Sequence, residues 1–174
     1  RDSFVGGGAV FFHLSEQIIA QQIPSVINDI NPELINCYQM VKTQTDDLIS
    51  LLKTHKHDKN YYLEIRNLDR QEGGLSVLNP LERASRFIYL NRTGFNGMYR
   101  VNSKGLNNVP FGRYKNPSIV NEDVLRSSAK ALIDTQISNQ SFQDCLSNAG
   151  KGDFVYLDPP YVPLNQTSYF TSYM

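Results

Sequence analysis

Residues 4–12 read Phe-Val-Gly-Gly-Gly-Ala-Val-Phe-Phe. An apolar pair, three glycines and a second apolar run parse as a strand end, a tight turn and a helix start. Glycine lets backbone approach a ligand, and a helix N-terminus presents unpaired N–H groups. The stretch therefore has the composition of a nucleotide-binding loop, although a mere tight turn has it too. No Walker lysine follows, which argues against a phosphate-gripping P-loop. Ser25-Val26-Ile27-Asn28 is a short β-branched run that ends at Asp29. That acid lies about 20 residues beyond the glycines, the spacing at which an acid holds ribose hydroxyls.

Working outward, Asn31-Pro32 opens a helix with Asn as N-cap, Pro at the first helical position and Glu33 in the first turn. Residues 46–53 continue as helix, 54–60 and 72–80 read as polar loops, and 81–90 as an amphipathic helix. Residues 91–121 are dense in Gly and Asn, with Tyr and Phe interleaved with Arg and Lys. A long irregular segment inside a compact protein is usually functional or disordered, and the aromatics here argue for function. Helical periodicity returns over 121–133. Asp153-Phe154-Val155-Tyr156-Leu157-Asp158 has the pattern of a buried strand, stopped by Pro159-Pro160. Strands alternating with helices predict a parallel α/β sheet.

Composition bounds the function. The 174 residues are 40% hydrophobic and 20% charged, as in a globular chain. No apolar run reaches the roughly 18 residues of a membrane span. Cys37 and Cys145 fit a reduced, intracellular protein with thiols in its core. The paired His55 and His57 have no further ligands nearby and read as a solvated loop, so no metal is expected. Lys plus Arg and Asp plus Glu are 17 each, a net charge of zero. The zero is a sum of opposites. Residues 83–121 carry Arg83, Arg86, Arg92, Arg100, Lys104, Arg113 and Lys115 and no acid, so the rest of the chain carries −7. An acid-free span of that length points to a polyanion-binding surface.

Asp158-Pro159-Pro160-Tyr161 suits chemistry on an aromatic amine. The prolines fix the backbone and leave the first carbonyl without a local donor. One carboxylate and one carbonyl can accept both hydrogens of an exocyclic amine, turning the nitrogen lone pair outward. Tyr161 offers a flat face to the ring. Taken alone, the four residues equally fit a proline turn that merely ends a strand.

In order along the chain stand the glycine loop, Asp29-Ile30-Asn31, Asn91-Arg92-Thr93-Gly94-Phe95-Asn96-Gly97, Asn108-Val109-Pro110-Phe111-Gly112-Arg113-Tyr114-Lys115 and Asp158-Pro159-Pro160-Tyr161. This order resembles the Dam-type, D12-class DNA adenine-N6 methyltransferases, over the whole 174 residues. The resemblance implies an α/β fold: a Rossmann-like S-adenosylmethionine-dependent methyltransferase sheet with an inserted helical and hairpin DNA-recognition subdomain. Residues 1–54 would form the cofactor-binding part, 55–120 the target-recognition subdomain and 121–174 the rest of the catalytic domain. Phe4, Gly6, Gly7, Gly8 and Asp29, with Ser141 and Phe142 at a strand end, would hold S-adenosylmethionine. Asp158, Pro159, Pro160 and Tyr161 would bind and stack the flipped adenine. Phe95 would wedge into the base stack, Asn96 would bind phosphate and Arg100 would read a guanine edge. Met98 and Pro110 would touch thymine methyls, Arg92 and Arg113 the backbone, and Asn102 and Asn108 complete the DNA-binding set. The implied target is GATC in double-stranded DNA and the implied location a prokaryotic or phage cytoplasm. A cognate restriction endonuclease would belong to the same system without binding directly.

Two departures from the family pattern carry an expectation of their own. Asp2-Ser3 stands where Glu-Pro is usual. The family's Lys-Trp-Gly-Gly-Lys segment and its later strands are not in the sequence, so the domain is expected to be incomplete at both ends. The alternative is a truncated or degenerate remnant that binds DNA without catalysis. A methyltransferase of RNA bases or protein glutamine would share the Pro-Pro-Tyr signature but not the reader over 100–115.

Overall fold

The protein was analysed as a computed structural model, which describes residues 1–159. In chain order the elements are α1 (Ala9–Ala20), β1 (Ser25–Asn28), α2 (Pro32–Thr43), α3 (Thr45–Leu52), α4 (Lys59–Asn67), α5 (Pro80–Thr93), α6 (Glu122–Leu132), β2 (Thr135–Ser138) and α7 (Phe142–Ser147). Short 3-10 turns occupy Leu68–Arg70, Gly74–Val77 and Phe95–Gly97. The fold is mixed α/β. β1 and β2 pair in parallel, Ser25 opposite Thr135 through Asn28 opposite Ser138. Asp2 extends this pairing through isolated parallel bridges to Ile27 on one side and Tyr156 on the other. The parallel order across the sheet is thus 135–138, 25–28, Asp2, Tyr156.

Capping explains where the helices start. Asn31 accepts the N–H groups of Glu33 and Leu34 ahead of α2, with Pro32 at its first position. Asn79 and Glu82 form a reciprocal capping box at α5, and Asn121 and Ser141 cap α6 and α7. Each such cap stabilises its helix by about 1 kcal/mol. Asp58 caps α4 through the N–H of Tyr61, so residues 59 and 60, read as loop, begin a helix.

Two cores result. One gathers Val5, Phe11, Ile27, Met40, Val41, Leu48, Leu52, Ala84 and Leu132 beneath the sheet and α1, α2, α3, α5 and α6. The other is aromatic: Tyr62, Tyr89 and Leu90, joined by Tyr61, Ile65, Phe111 and Ile119. α5 serves both, with Ala84 in the first and Tyr89 in the second.

The segment 153–158 differs from expectation. It makes one bridge, at Tyr156, and Phe154 and Leu157 are 70% and 45% exposed. Among the described residues its sheet partner is the strand end at Arg1–Ser3, and an edge covered on one side only does not bury an apolar run. Pro160 and Tyr161 lie outside the described residues. Among the described residues, no helix is long and apolar enough to cross a membrane.

Candidate functional site

The parallel strand ends converge on a cavity of about 320 Å³ lined by Asp2, Phe4, Gly6, Gly7, Gly8, Asp29, Tyr156 and Asp158, among others. Backbone pairing places them. Asp2 N–H donates to Val26 O at 2.9 Å, and Asp2 O accepts from Asn28 N–H at 2.8 Å. Val5 N–H then donates to Asn28 O at 2.9 Å, and the chain turns. Gly8 takes a φ of 72° as the N-cap of α1. A Cβ there would sit 2.7 Å from the Phe12 ring and 2.8 Å from the Tyr38 hydroxyl, so the turn requires glycine. At Gly7 a Cβ would meet no atom within 4 Å.

Loop and acid are locked together. Asp29 Oδ2 accepts the Gly6 N–H at 3.1 Å, and Oδ1 accepts the Asn31 N–H at 2.9 Å. Tyr38 donates its hydroxyl to Gly6 O at 2.8 Å, and burial keeps that phenol protonated by raising its pKa. Asn28, 1% exposed, ties three strand ends: its Nδ2 donates to Ser3 O and Gln140 O, and its Oδ1 accepts from Ser138 Oγ and Gln140 N–H. Sequence reading passed over Asn28 and Tyr38. The signal for Asn28 was a polar residue closing a buried strand, where it must find partners.

Asp2 is the third carboxylate of the cavity. Its own burial raises its carboxyl pKa above the usual range, and the charges of Asp29 and Asp158 add to the rise. Three acids around one cavity suit a cationic ligand. Ser141 and Phe142 stand beside the cavity rather than in its wall. Ser141 is the α7 cap, while Phe142 packs on Phe4 with ring centroids 5.5 Å apart.

The second region is the basic span. Residues 93–112 double back on themselves: Gly94 bridges Phe111 and Val101 bridges Asn107 in antiparallel fashion. The tip is a turn in which Asn102 Oδ1 accepts the N–H groups of Lys104 and Leu106, with Gly105 at φ 74°. Phe95 (46% exposed), Asn96, Pro110, Phe111, Arg113 and Tyr114 line one groove at its base. Met98 is half-buried beside it. Arg100 Nε donates to Asn108 Oδ1 at 2.7 Å across the two arms.

Two of the seven cations are spent internally. Arg83 pairs with Glu33, and Arg86, 5% exposed, pairs with Asp69 at 2.9 Å. Breaking such a buried pair costs about 3–5 kcal/mol, so Arg86 belongs to the scaffold. Arg92, Arg100, Lys104, Arg113 and Lys115 make no ion pair among the described residues. A larger groove of about 800 Å³ joins the regions: it shares Gly6, Gly7 and Asp29 with the cavity and reaches Asn91, Arg92 and Tyr99.

His55 is not a solvated loop residue. Its Nδ1 lies 2.9 Å from the Tyr61 hydroxyl, its Nε2 2.9 Å from Ser85 Oγ, and its ring stacks on Tyr89 at 4.4 Å. Burial lowers its pKa to about 4, so it is neutral at pH 7. Among the described residues, no three His, Cys, Asp or Glu side chains are grouped to hold a metal.

Comparison with known proteins gives a consistent result. The family model for the D12 class N6 adenine-specific DNA methyltransferases matches residues 1–174. The type II methyltransferase M1.LlaDCHI of Lactococcus lactis subsp. cremoris is 47% identical over 176 residues, covering 99% of this chain and 60% of that protein. A type II methyltransferase of Methanocaldococcus jannaschii, M.MjaIII, is 40% identical, covering 99% and 61%. The DNA adenine methylase of Serratia marcescens is 37% identical, again covering 99% and 61%. The chain thus spans about three-fifths of the length of these relatives.

Proposed function

The chain belongs to the D12 class of N6 adenine-specific DNA methyltransferases, and on that premise we propose that it transfers a methyl group from S-adenosylmethionine to the N6 of an adenine flipped out of double-stranded DNA, within GATC. The observation that carries this reading is the cavity that gathers Phe4, Gly6–Gly8, Asp29 and Asp158, with a separate basic hairpin beyond it. We assign residues 1–54 and 121–174 to a Rossmann-like catalytic domain and 55–120 to an inserted target-recognition subdomain.

The cavity fits the cofactor on two counts. Open space over Gly7 leaves glycine without a packing reason there, as expected where a ligand approaches backbone. Each Asp29 oxygen accepts one backbone N–H and retains a lone pair for a ribose hydroxyl. Phe4 would flank the adenosine from the cavity wall, with Phe142 packed behind it and Ser141 beside them. When bound, S-adenosylmethionine supplies an electrophilic methyl on a sulfonium cation, a charge that the three carboxylates favour.

Flipping the adenine costs a few kcal/mol of lost stacking and pairing. Asp158 and the Pro159 carbonyl accept the two N6 hydrogens, and Pro160 belongs to the same adenine-binding set. Accepting both hydrogens would free the N6 lone pair from conjugation; as the new nitrogen–carbon bond formed, the methyl–sulfur bond would break to leave a neutral thioether, and the N6 proton made acidic by methylation would pass to water. Tyr161 stacks on the base. No covalent enzyme intermediate is needed, and Asp158 need not be a strong base, because positioning and electrostatics carry such a transfer. Arg100 reads a guanine edge, Phe95 fills the stack, and Met98 and Pro110 meet thymine methyls. Asn96, Arg92 and Arg113 bind the backbone, and Asn102 and Asn108 complete the DNA-binding set while also bracing the hairpin.

Incorporation of labelled methyl from S-adenosylmethionine into a GATC duplex, abolished by Asp158→Ala, tests the proposal. Methylation of a different sequence would overturn the GATC assignment. Salt-dependent DNA binding with no transfer would select a DNA-binding remnant instead.

A further inference from the structure

The basic span contains no acid, yet its base-reading arm is anchored by one. Asp69 precedes the span in sequence, and its side chain is 5% exposed. Its Oδ2 accepts from Arg86 Nη2 at 2.9 Å and from the Asn107 N–H at 2.8 Å, while its Oδ1 accepts from Arg70 Nη1. Arg70 Nη2 donates in turn to Asn107 O. Two residues on, Val109 O accepts from the Tyr62 hydroxyl at 3.0 Å and from Arg66 Nη1 at 3.1 Å. The Val109 N–H folds back onto Asn107 Oδ1 at 3.1 Å. The backbone on both sides of Asn108 is therefore fixed by α4 and the turn after it.

Asn108 faces Arg100. Its Oδ1 accepts from Arg100 Nε at 2.7 Å, its carbonyl from Nη2 at 3.4 Å, and its N–H donates to Arg100 O at 3.1 Å. The direction of the Arg100 guanidinium is thus taken from Asn108, and the place of Asn108 from Asp69.

We infer that Asp69, backed by Arg86, is a positioning residue for sequence discrimination: it sets the 107–109 arm that aims Arg100 and does so without touching DNA. The inference rests on the reading of Arg100 as the side chain that contacts a base. A guanidinium tells one base edge from another by its angle as well as its charge. A loosened arm therefore keeps the charge and loses the discrimination. The supporting shell of a recognition group decides its accuracy in this way.

Fluorescence anisotropy on the full chain tests this, using a GATC duplex, duplexes with one base pair changed, and a random duplex, for Asp69→Asn, Arg100→Ala and the double variant. Asp69→Asn keeps the side chain's shape and an acceptor, and its folding is checked by thermal melting. The expected result is a fall of about tenfold in discrimination, with the random-duplex affinity and the salt slope unchanged. The double variant should lose no more than Arg100→Ala alone. Amide exchange at Asn107 and Val109 should rise while that of Leu90 stays protected. Loss of discrimination in Arg100→Ala but not in Asp69→Asn overturns the inference. So does a uniform fall for every duplex, which marks a phosphate-binding or stability effect. Retained discrimination in Arg100→Ala overturns the assignment of Arg100 itself, and this inference with it.

Discussion

The cavity and the hairpin place their functional groups by different physical means. At the cavity, parallel strands end together and hand each side chain a fixed position: Phe4 follows Asp2 in the sheet, Asp29 follows β1, and Asp158 follows the bridge at Tyr156. Backbone ladder bonds bring the strand ends together, and side chains from those same ends, Asn28 and Asp29, lock the loop onto them. The hairpin is a shorter ladder, two isolated bridges with backbone bonds between residues 93–95 and 110–112 and between 100–102 and 106–108. It is held to the rest of the protein by side chains distant in sequence, Tyr62, Arg66, Arg70 and Asp69, which reach the backbone of Asn107 and Val109. A mutation should therefore act locally at the cavity and at a distance in the hairpin.

The largest expected effect is at the cavity. Asp29→Ala removes the acceptor of the Gly6 and Asn31 N–H groups together with the assigned ribose contact. Hydrogen bonds to a charged group contribute about 1.5–3 kcal/mol each, so S-adenosylmethionine affinity should fall about 100-fold. Isothermal titration calorimetry checks it, with random-duplex affinity as the control. Equal losses in both would break the separation of the two regions.

Arg100→Ala comes next. Losing the proposed bidentate base contact would cost about 1–3 kcal/mol of discrimination, so single-base-pair variants of the proposed GATC target should compete about 10-fold better in a binding assay. Cofactor affinity should stay within twofold, since Arg100 lies outside the cavity wall.

This contrast also explains what the sequence disclosed. Strand-end chemistry is local: the Gly6–Gly8 turn, Asp29 and the Asn31-Pro32 cap were legible because neighbouring residues carry the whole signal. The hairpin's composition was legible as well, because Gly, Asn and cations cluster within it. Its anchors were not, since Asp69 sits in Asn67-Leu68-Asp69-Arg70 with nothing nearby to distinguish it from a surface acid. The polar run 54–60 hides the start of α4, although Asp58 is a serviceable N-cap. His55 looked solvated because Tyr61, Ser85 and Tyr89 reach it only through folding. The run 153–158 looked buried because an apolar pattern does not say whether a cover exists.

Acid should separate the two regions by sign. His55 has a folded pKa of about 4, below the usual value of 6.5, so its contribution to stability is present above pH 6.5 and lost as pH falls through about 4. Discounted for the ring's remaining solvent contact, the loss should be about 2 kcal/mol. Asp2 has a raised folded pKa, so its ionisation weakens the fold: its contribution is present below about pH 3.8 and lost as pH rises through the raised value. Amide exchange at pH 7 and pH 4.5 should show α4 and the hairpin loosening on acidification while the strand at Asp2 does not. His55→Gln should flatten the first response. An equal response in both regions would mean that the aromatic core and the sheet open as one unit.

The smallest effects test the charge arithmetic. A chain with a net charge of zero binds DNA only if cations face it unpaired, and pairing separates the seven cations of the span into two groups. Arg83 and Arg86 are already neutralised by Glu33 and Asp69, acids from outside the span. A phosphate bound by either would first have to displace a carboxylate, with no net release of counterions. Arg92 and Arg113 have no such partner among the described residues. Arg113→Gln should therefore weaken binding to every duplex a few-fold and reduce the slope of log affinity against log salt by about 0.9, one phosphate's worth. Arg83→Gln should leave that slope unchanged and instead lower the melting temperature slightly, since its ion pair joins α5 to α2 and is partly exposed. Equal slopes for the two variants would show that the DNA-binding face extends along α5 to Arg83, and that the hairpin is only its end.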